Sequence, residues 1–192
     1  MKRWIMLLAV VVLAGCAVGS KRPVEIYDFG IPTAVVPPAG QDVFLADIRA
    51  AEWLGTTDML YRLEYANPRK LAPYALSRWA APPAHILTIR LRQSVSNATR
   101  VRGTQSKCNL TLLLSEFSQV FGDEQNSRAV MHLRATLSEP AVTEAARVRE
   151  FRLEKPAPTP NAAGAAAAFA AIATSVAEGL NAWIAEAGVC KR

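Results

Sequence analysis

Residues 108–121, CNLTLLLSEFSQVF, and the stretch that follows a polar link, SRAVMHLRATLSE at 127–139, decide how this chain folds. In the first, Leu110, Leu112 and Leu114 recur at every second position; in the second, Ala129, Met131, Leu133, Ala135 and Leu137 do the same. A period of two belongs to a strand, because successive side chains leave the backbone on opposite faces. Each segment therefore reads as a long strand with one face buried. The link FGDEQNS is made of turn-forming residues, so it is a turn or short polar loop and the two strands pair as antiparallel neighbours. VREFRLE, Val148–Glu154, is a shorter strand with Phe151 and Leu153 pointing one way.

Working outward, PAPTPNAAG at 156–164 breaks the alternation and leads into AAAAFAAIATSVAEGLNAWIAEA at 165–187. Here Phe169, Ile172, Val176, Leu180, Trp183 and Ile184 fall in one stripe at helical spacing, and the alanine runs supply helix propensity. A single apolar stripe has to be buried, and a sheet offers the face to bury it on. A membrane-surface role is disfavoured because the polar side of this helix lacks Lys and Arg.

Upstream, VEIYDFG at 24–30 alternates as a strand, PTAVVPPAG at 32–40 is a loop because its prolines cannot serve a central ladder, and Val43–Ala50 reads as one further strand. Around the Asn67-Pro68 turn, Met59–Tyr65 and Lys70–Leu76 read as a hairpin. For Pro83–Val95 two periods compete: Leu87, Leu91 and Val95 at i, i+4 and i+8, against Leu87, Ile89 and Leu91 in alternation. Length and the Pro82-Pro83 start favour a helix. The order of elements gives an α+β fold: a two-layer sandwich of a mainly antiparallel sheet with two helices.

The N-terminus carries export grammar. Lys2 and Arg3 precede an apolar run, Trp4–Leu13, and small residues Ala14-Gly15 follow. That run is too short to span a bilayer, which needs roughly 20 apolar residues. Leu13-Ala14-Gly15-Cys16 resembles the bacterial lipobox, which implies cleavage before Cys16 and a diacylglycerol plus an N-acyl chain on that cysteine. The other reading is an ordinary secretory leader with an incidental cysteine; both export the chain. The expected organisation is a cleaved signal peptide at 1–15, a tether at 16–23 and one periplasmic domain at 24–190. Several acyl chains anchor durably where one binds reversibly. Ala17 and Val18 follow Cys16 without the aspartate that signals inner-membrane retention, so the expected site is the periplasmic face of the outer membrane.

Loss of Lys2 and Arg3 with the leader lowers the formal charge from +6 to about +4. Basic side chains cluster as Arg90/Arg92, Arg100/Arg102/Lys107 and Arg147/Arg149/Arg152. They offer a surface to anionic headgroups or an acidic partner, or simply the solvated face of a strand or helix. No aromatic-basic interleaving suggests nucleic acid, and export makes that partner implausible. With Cys16 acylated, Cys108 and Cys190 remain as an even pair in an oxidising compartment; a disulfide closing a loop of about 80 residues is the expectation, two free thiols the alternative.

Enzymatic tools are missing from the pattern. His85 and His132 stand apart without metal-ligand spacing, and no nucleophile-base, zinc-protease or phosphate-loop motif occurs, so no catalytic residue, metal or cofactor is expected. The sequons at Asn97 and Asn109 carry no weight in a bacterial chain. Tyr61, Tyr65, Tyr74 and Trp79 read as an aromatic cluster packed in the core.

The stretch MLYRLEYANPRKLAPYALSRWAAPPAHIL, from Met59, resembles the auxiliary lipoproteins of ABC-type lipid transport, the PqiC-like family. Tyr27–Gly30 (YDFG), Leu60–Arg62, Tyr74–Trp79 ahead of a helix, Glu116–Phe121 (EFSQVF) and the Ala-rich closing helix carry the resemblance across Val24–Ala187. It implies a fold like the TolB N-terminal domain and a non-enzymatic periplasmic component that works with MCE-domain proteins to move phospholipid between the two membranes. Only Cys16 transfers as a functional residue, and self-association into a ring is compatible with the resemblance. The competing function is a lipoprotein regulator of a cell-wall synthase built on a similar domain; a lipid-anchored hydrolase ranks below it.

The lipobox reading predicts that cells grown with labelled palmitate incorporate label into the full-length protein, and that Cys16→Ala abolishes it. Labelling of the variant at the wild-type level, read by gel fluorography, sinks the acylation of Cys16.

Overall fold

The computed structural model describes residues 22–31, 40–95, 106–140 and 146–191. Along these run β1 (Glu25–Tyr27), β2 (Val43–Leu45), β3 (Arg49–Ala50), a single 3-10 turn (Glu52–Leu54), β4 (Asp58–Leu63) and β5 (Leu71–Trp79). Then follow α1 (Pro83–Val95), β6 (Cys108–Phe121), β7 (Ser127–Ser138), β8 (Arg147–Pro156) and α2 (Ala162–Ala187). The leader, Cys16, the tether up to Lys21, most of the PTAVVPPAG loop, the Asn97 sequon, Arg100 and Arg102 lie outside the described residues.

The strands form one sheet in the order β1-β5-β4-β6-β7-β8, with β2 and β3 also paired to β6. The hairpin read from the alternation is present: β6 and β7 run antiparallel from Asn109↔Ser138 to Phe121↔Ser127, and β8 adds antiparallel to β7. Its turn is closed by Asp123, whose carboxylate accepts from the backbone N–H of Gln125 and Asn126 and from the Asn126 side chain. These bonds, the side-chain one foremost, hold the Asp123 carboxyl below its ordinary pKa.

The α+β class and two helices match the sequence reading, and the three longest ladders are antiparallel. The sheet as a whole is mixed, because β2, β3 and β4 join β6 in parallel, as β1 joins β5. Alternation reports which face a side chain takes and is blind to strand direction.

Val43–Ala50 is not one strand. It pairs with β6 only at Val43–Leu45 and Arg49–Ala50. Between them the backbone N–H of Ile48 turns away and donates to the Thr88 hydroxyl of α1 at 3.1 Å, while the Ile48 side chain enters the core. A helix donor-acceptor thus interrupts the ladder. The expected aromatic cluster also divides. Tyr61 and Tyr74 meet with ring centroids 4.9 Å apart, but Trp79 sits five residues further along β5, and Tyr65 lies past the end of β4, half exposed. Five residues of strand span roughly 16 Å, too far for one cluster.

Both helices cover the same face of the sheet. Leu110, Leu112, Leu114 and Phe117 of β6 and the even-spaced row of β7 pack under α1 (Leu87, Leu91, Val95) and α2 (Phe169, Ile172, Val176, Leu180) in one core. At its centre Phe117 stacks on Phe169, with centroids 3.8 Å apart, and Trp79 meets both rings edge-on. α2 starts at Asn161, whose side chain accepts from the Gly164 N–H at 2.9 Å, and stops at Gly188, which takes the left-handed conformation at φ 70°. Gly164 admits no side chain: a Cβ there would stand 2.0 Å from the Thr159 carbonyl oxygen. The Asn181 amide donates to the Ser94 carbonyl at 2.9 Å, satisfying the last turn of α1 and fastening the helices together.

Truncation of the central ring tests this packing. Phe117→Ala is expected to lower unfolding free energy by about 3–5 kcal/mol, whereas Leu113→Ala, on the helix-free face of the same strand, is expected to lower it by less than about 1 kcal/mol. Equal midpoint shifts of the two variants in chemical denaturation would contradict the assignment of the buried face.

Candidate functional site

The residues singled out from the sequence are distributed over the molecule rather than gathered. Cys108 opens β6 and Cys190 follows α2; their sulfurs are bonded, with Cα atoms 5.5 Å apart and a sequence separation of 82. The chain around the bond is knitted by backbone hydrogen bonds, Asp42 N–H to the Cys190 carbonyl at 2.8 Å and Cys108 N–H to the Asp42 carbonyl at 3.1 Å. This links the start of β6, the segment before β2 and the C-terminal end at one corner. Both cysteines are buried.

The basic clusters serve separate duties. On β8, Arg147 donates to the Ala187 carbonyl at 2.8 Å, placing a cation at the C-terminus of α2, and Arg149 pairs with Glu186 at 3.2 Å. Arg152, with the opposite parity, takes the other face of the strand. On α1, Arg92 pairs with Asp47 at 3.0 Å, while its neighbour Arg90 is buried.

The helix-free face of the sheet carries matched charges. Arg62 bonds Glu116 at 3.0 Å; Arg128 bridges Glu64 at 3.1 Å and Glu154 at 2.8 Å; Arg134 faces Glu150 at 3.5 Å. The hydrogen bonds that Arg128 donates to Glu64, foremost, and to Glu154 raise its already high pKa. Leu113 and Val148 lie exposed on this face. Alternating strands paired in register put these side chains opposite one another, and such surface pairs contribute little individually.

Two cavities open at the ends of the sheet. One, ≈ 320 Å³, lies beside the β4–β5 turn and is lined by Tyr61, Leu63, Asn67 and Lys70. Next to it the Tyr74 hydroxyl donates to the side-chain Oε1 of Gln119 at 2.6 Å, and the Gln119 Nε2 donates to the Ser127 hydroxyl at 2.7 Å. Burial, aided by Tyr61, raises the pKa of the Tyr74 phenol well above its ordinary value. The other cavity, ≈ 250 Å³, lies between the end of β1, the turn after β5 and α1, and includes Phe29, Ile86, Ile89 and Arg90.

His85 is exposed on the first turn of α1 and His132 is half buried on β7. No group of three or more His, Cys, Asp or Glu side chains among the described residues is arranged to hold a metal ion. The Ser115 hydroxyl donates to the backbone carbonyl of His132 at 3.5 Å and not to its imidazole. The sequence reading passed over the burial of Arg90, although a signal existed: Leu87, Arg90, Leu91 and Ser94 fall on one face of α1, so the guanidinium shares the apolar stripe.

Comparison with known proteins accords with this picture. Residues 28–180 match a family described as the ABC-type transport auxiliary lipoprotein component. Among solved structures, protein XCC0632 from Xanthomonas campestris, assigned to DUF330, has a TM-score of 0.67 at 22% identity, covering 83% of this chain and 94% of that one. The crystal structure of an uncharacterized protein has a TM-score of 0.63 at 13% identity, over 85% of this chain and 99% of the other. At these identities the likeness concerns the fold. No curated protein matches the sequence.

The corner disulfide yields a stability test. Closing a loop of this length restricts the unfolded chain, so replacing Cys108 and Cys190 together by Ala is expected to cost about 2–5 kcal/mol. Reductant should lower the denaturation midpoint of the wild-type chain and leave that of the double variant unmoved; a wild-type midpoint insensitive to reductant would argue that the bond adds no stability.

Proposed function

The chain belongs to the ABC-type transport auxiliary lipoprotein family, and from that premise we propose that it is the outer-membrane-anchored periplasmic docking component of an MCE-type ABC system moving phospholipid between the inner and outer membranes. The observation that supports this is the family match, which runs from the end of β1 to the last turns of α2 and so takes in nearly the whole described body. In this reading residues 1–15 are removed, Cys16 carries diacylglycerol and an N-acyl chain, residues 16–23 form the tether, and 24–190 is the periplasmic domain that meets an MCE-domain partner. A docking protein acts by holding surfaces together, so it needs neither a reacting group nor a cofactor. Copies of the chain assembled side by side would present the partner with a ring. The short distance in sequence between Cys16 and β1 suits work close to the membrane and disfavours a regulator that must reach across the peptidoglycan.

The test is in-cell crosslinking of the native lipoprotein followed by affinity capture and mass spectrometry, with Cys16→Ala as control. Recovery of an MCE-domain protein, reduced when the anchor is removed, is the expected outcome. Recovery of a cell-wall synthase in its place would overturn this function in favour of the regulatory one.

A further inference from the structure

Arg90 presents an unresolved need. The residue is only 8% exposed, and its Nη1 is shut off from solvent with no hydrogen-bond partner. Among the described residues Arg90 takes part in none of the ion pairs, although Arg92, two residues further along the helix, has one. A buried guanidinium without a partner is costly, and it is the side chain best shaped to grip a carboxylate or phosphate with two parallel bonds. It forms part of the wall of the ≈ 250 Å³ cavity at the end of β1.

The rest of that wall narrows the choice of ligand. Phe29, Ala80, Ala81, Ile86 and Ile89 are apolar. Ile89 is 52% exposed at the rim, and Ile31, next in chain to the cavity residue Gly30, is 97% exposed, so apolar surface continues outward from the mouth. Two polar side chains share the lining, Asp28 and Gln93. The Asp28 carboxylate is engaged by the Gly30 N–H at 2.7 Å. A bare inorganic anion would satisfy the guanidinium and leave the apolar walls wet, whereas a neutral hydrocarbon would leave the charge unmet. A molecule with an anionic oxygen head and an acyl chain satisfies both.

We propose that this cavity is a binding site for the anionic head and first methylenes of an acyl amphiphile, held by Arg90 with its chain leaving over Ile89 and Ile31. The inference rests on the lipid-transport reading for the source of the ligand, and on the cavity alone for its chemistry. Carboxylate and phosphate heads share that chemistry, so both are tested.

The full-length acylated protein is purified in a neutral maltoside detergent and incubated separately with oleate, phosphatidylglycerol and inorganic phosphate, and ligand retention is measured by native mass spectrometry. The expected result is one oleate or one phosphatidylglycerol per chain, whichever binds identifying the head, with retention weakened roughly tenfold or more in Arg90→Gln. Ile89→Ser, a substitution at an exposed position that leaves the core intact, should weaken the same amphiphile. Equal retention by wild type and both variants, no retention of either amphiphile, or inorganic phosphate displacing them at equal concentration would overturn the proposal. The MCE capture experiment separates the two readings: a chain that captures its partner yet retains no amphiphile loses only this inference, and one that retains amphiphile without capturing the partner loses only the docking function.

Discussion

Everything in this molecule is arranged around the need to satisfy β6 along both edges. Its backbone is buried in the middle of the sheet, where an unpaired N–H or carbonyl would cost free energy comparable to a lost hydrogen bond. One edge is met simply, by β7 over nearly the full length of the strand. The other is met in relay by three short parallel segments, β2 at Val43–Leu45, β3 at Arg49–Ala50 and β4 at Tyr61–Leu63. The chain between them is free to leave the sheet and return, which lets Ile48 enter the core and bond α1. A bulge between Leu114 and Glu116 shifts the register once, so that Phe117 rather than its neighbour continues the buried row. The leucines above and Phe117 below then present a continuous surface, and α1 and α2 are the layer that dries it.

That dependence explains what was readable in advance. The β6–β7 hairpin and α2 were legible because each is local and periodic: alternation over 110–114 and 129–137, or a six-residue apolar stripe, leaves no second period to compete, and β8 showed in the shorter alternation of Phe151 and Leu153. The β4–β5 hairpin and α1 were legible because prolines mark their turn and start. The relay was not legible, since two- and three-residue strands carry no period and exist only because β6 offers an edge to them. Parallel pairing was equally hidden, being a property of how segments meet and not of any one of them. Of the candidate site, Cys108 and Cys190 stood out by type and even number, whereas Arg90 reads in sequence as half of a basic pair with Arg92 and shows its burial only in sharing a helix face with Leu87, Leu91 and Ser94.

Placing both helices on one face divides the molecule into a dry side and a polar one. The polar side is not featureless: Arg62–Glu116, the Glu64–Arg128–Glu154 triad and Arg134–Glu150 pair opposite charges across adjacent strands. Such pairing keeps the face soluble without a strong field of either sign. The corner joined by Cys108 and Cys190 works differently, since there the start of β6 meets the segment leading into β2 and the residues after α2, and a covalent bond holds what only a few backbone hydrogen bonds would otherwise hold.

Arg90 is the exception to that economy. The stripe of α1 on which it sits already contains Leu87 and Leu91, both fully buried, and a leucine or methionine at position 90 would extend it with no charge to desolvate. Replacing buried ionic groups by packed apolar ones is frequently neutral or stabilising, so stability gives no reason to keep a guanidinium here. Nor does fastening the helices, which the Asn181–Ser94 bond accomplishes one turn further on. A residue that breaks the local rule of its own helix face, lacks a partner at Nη1 and forms part of a cavity wall is one that an anionic group entering the cavity would satisfy. The unsatisfied donor and the apolar wall beside it are together the complement of one kind of molecule, and each alone would be the complement of many.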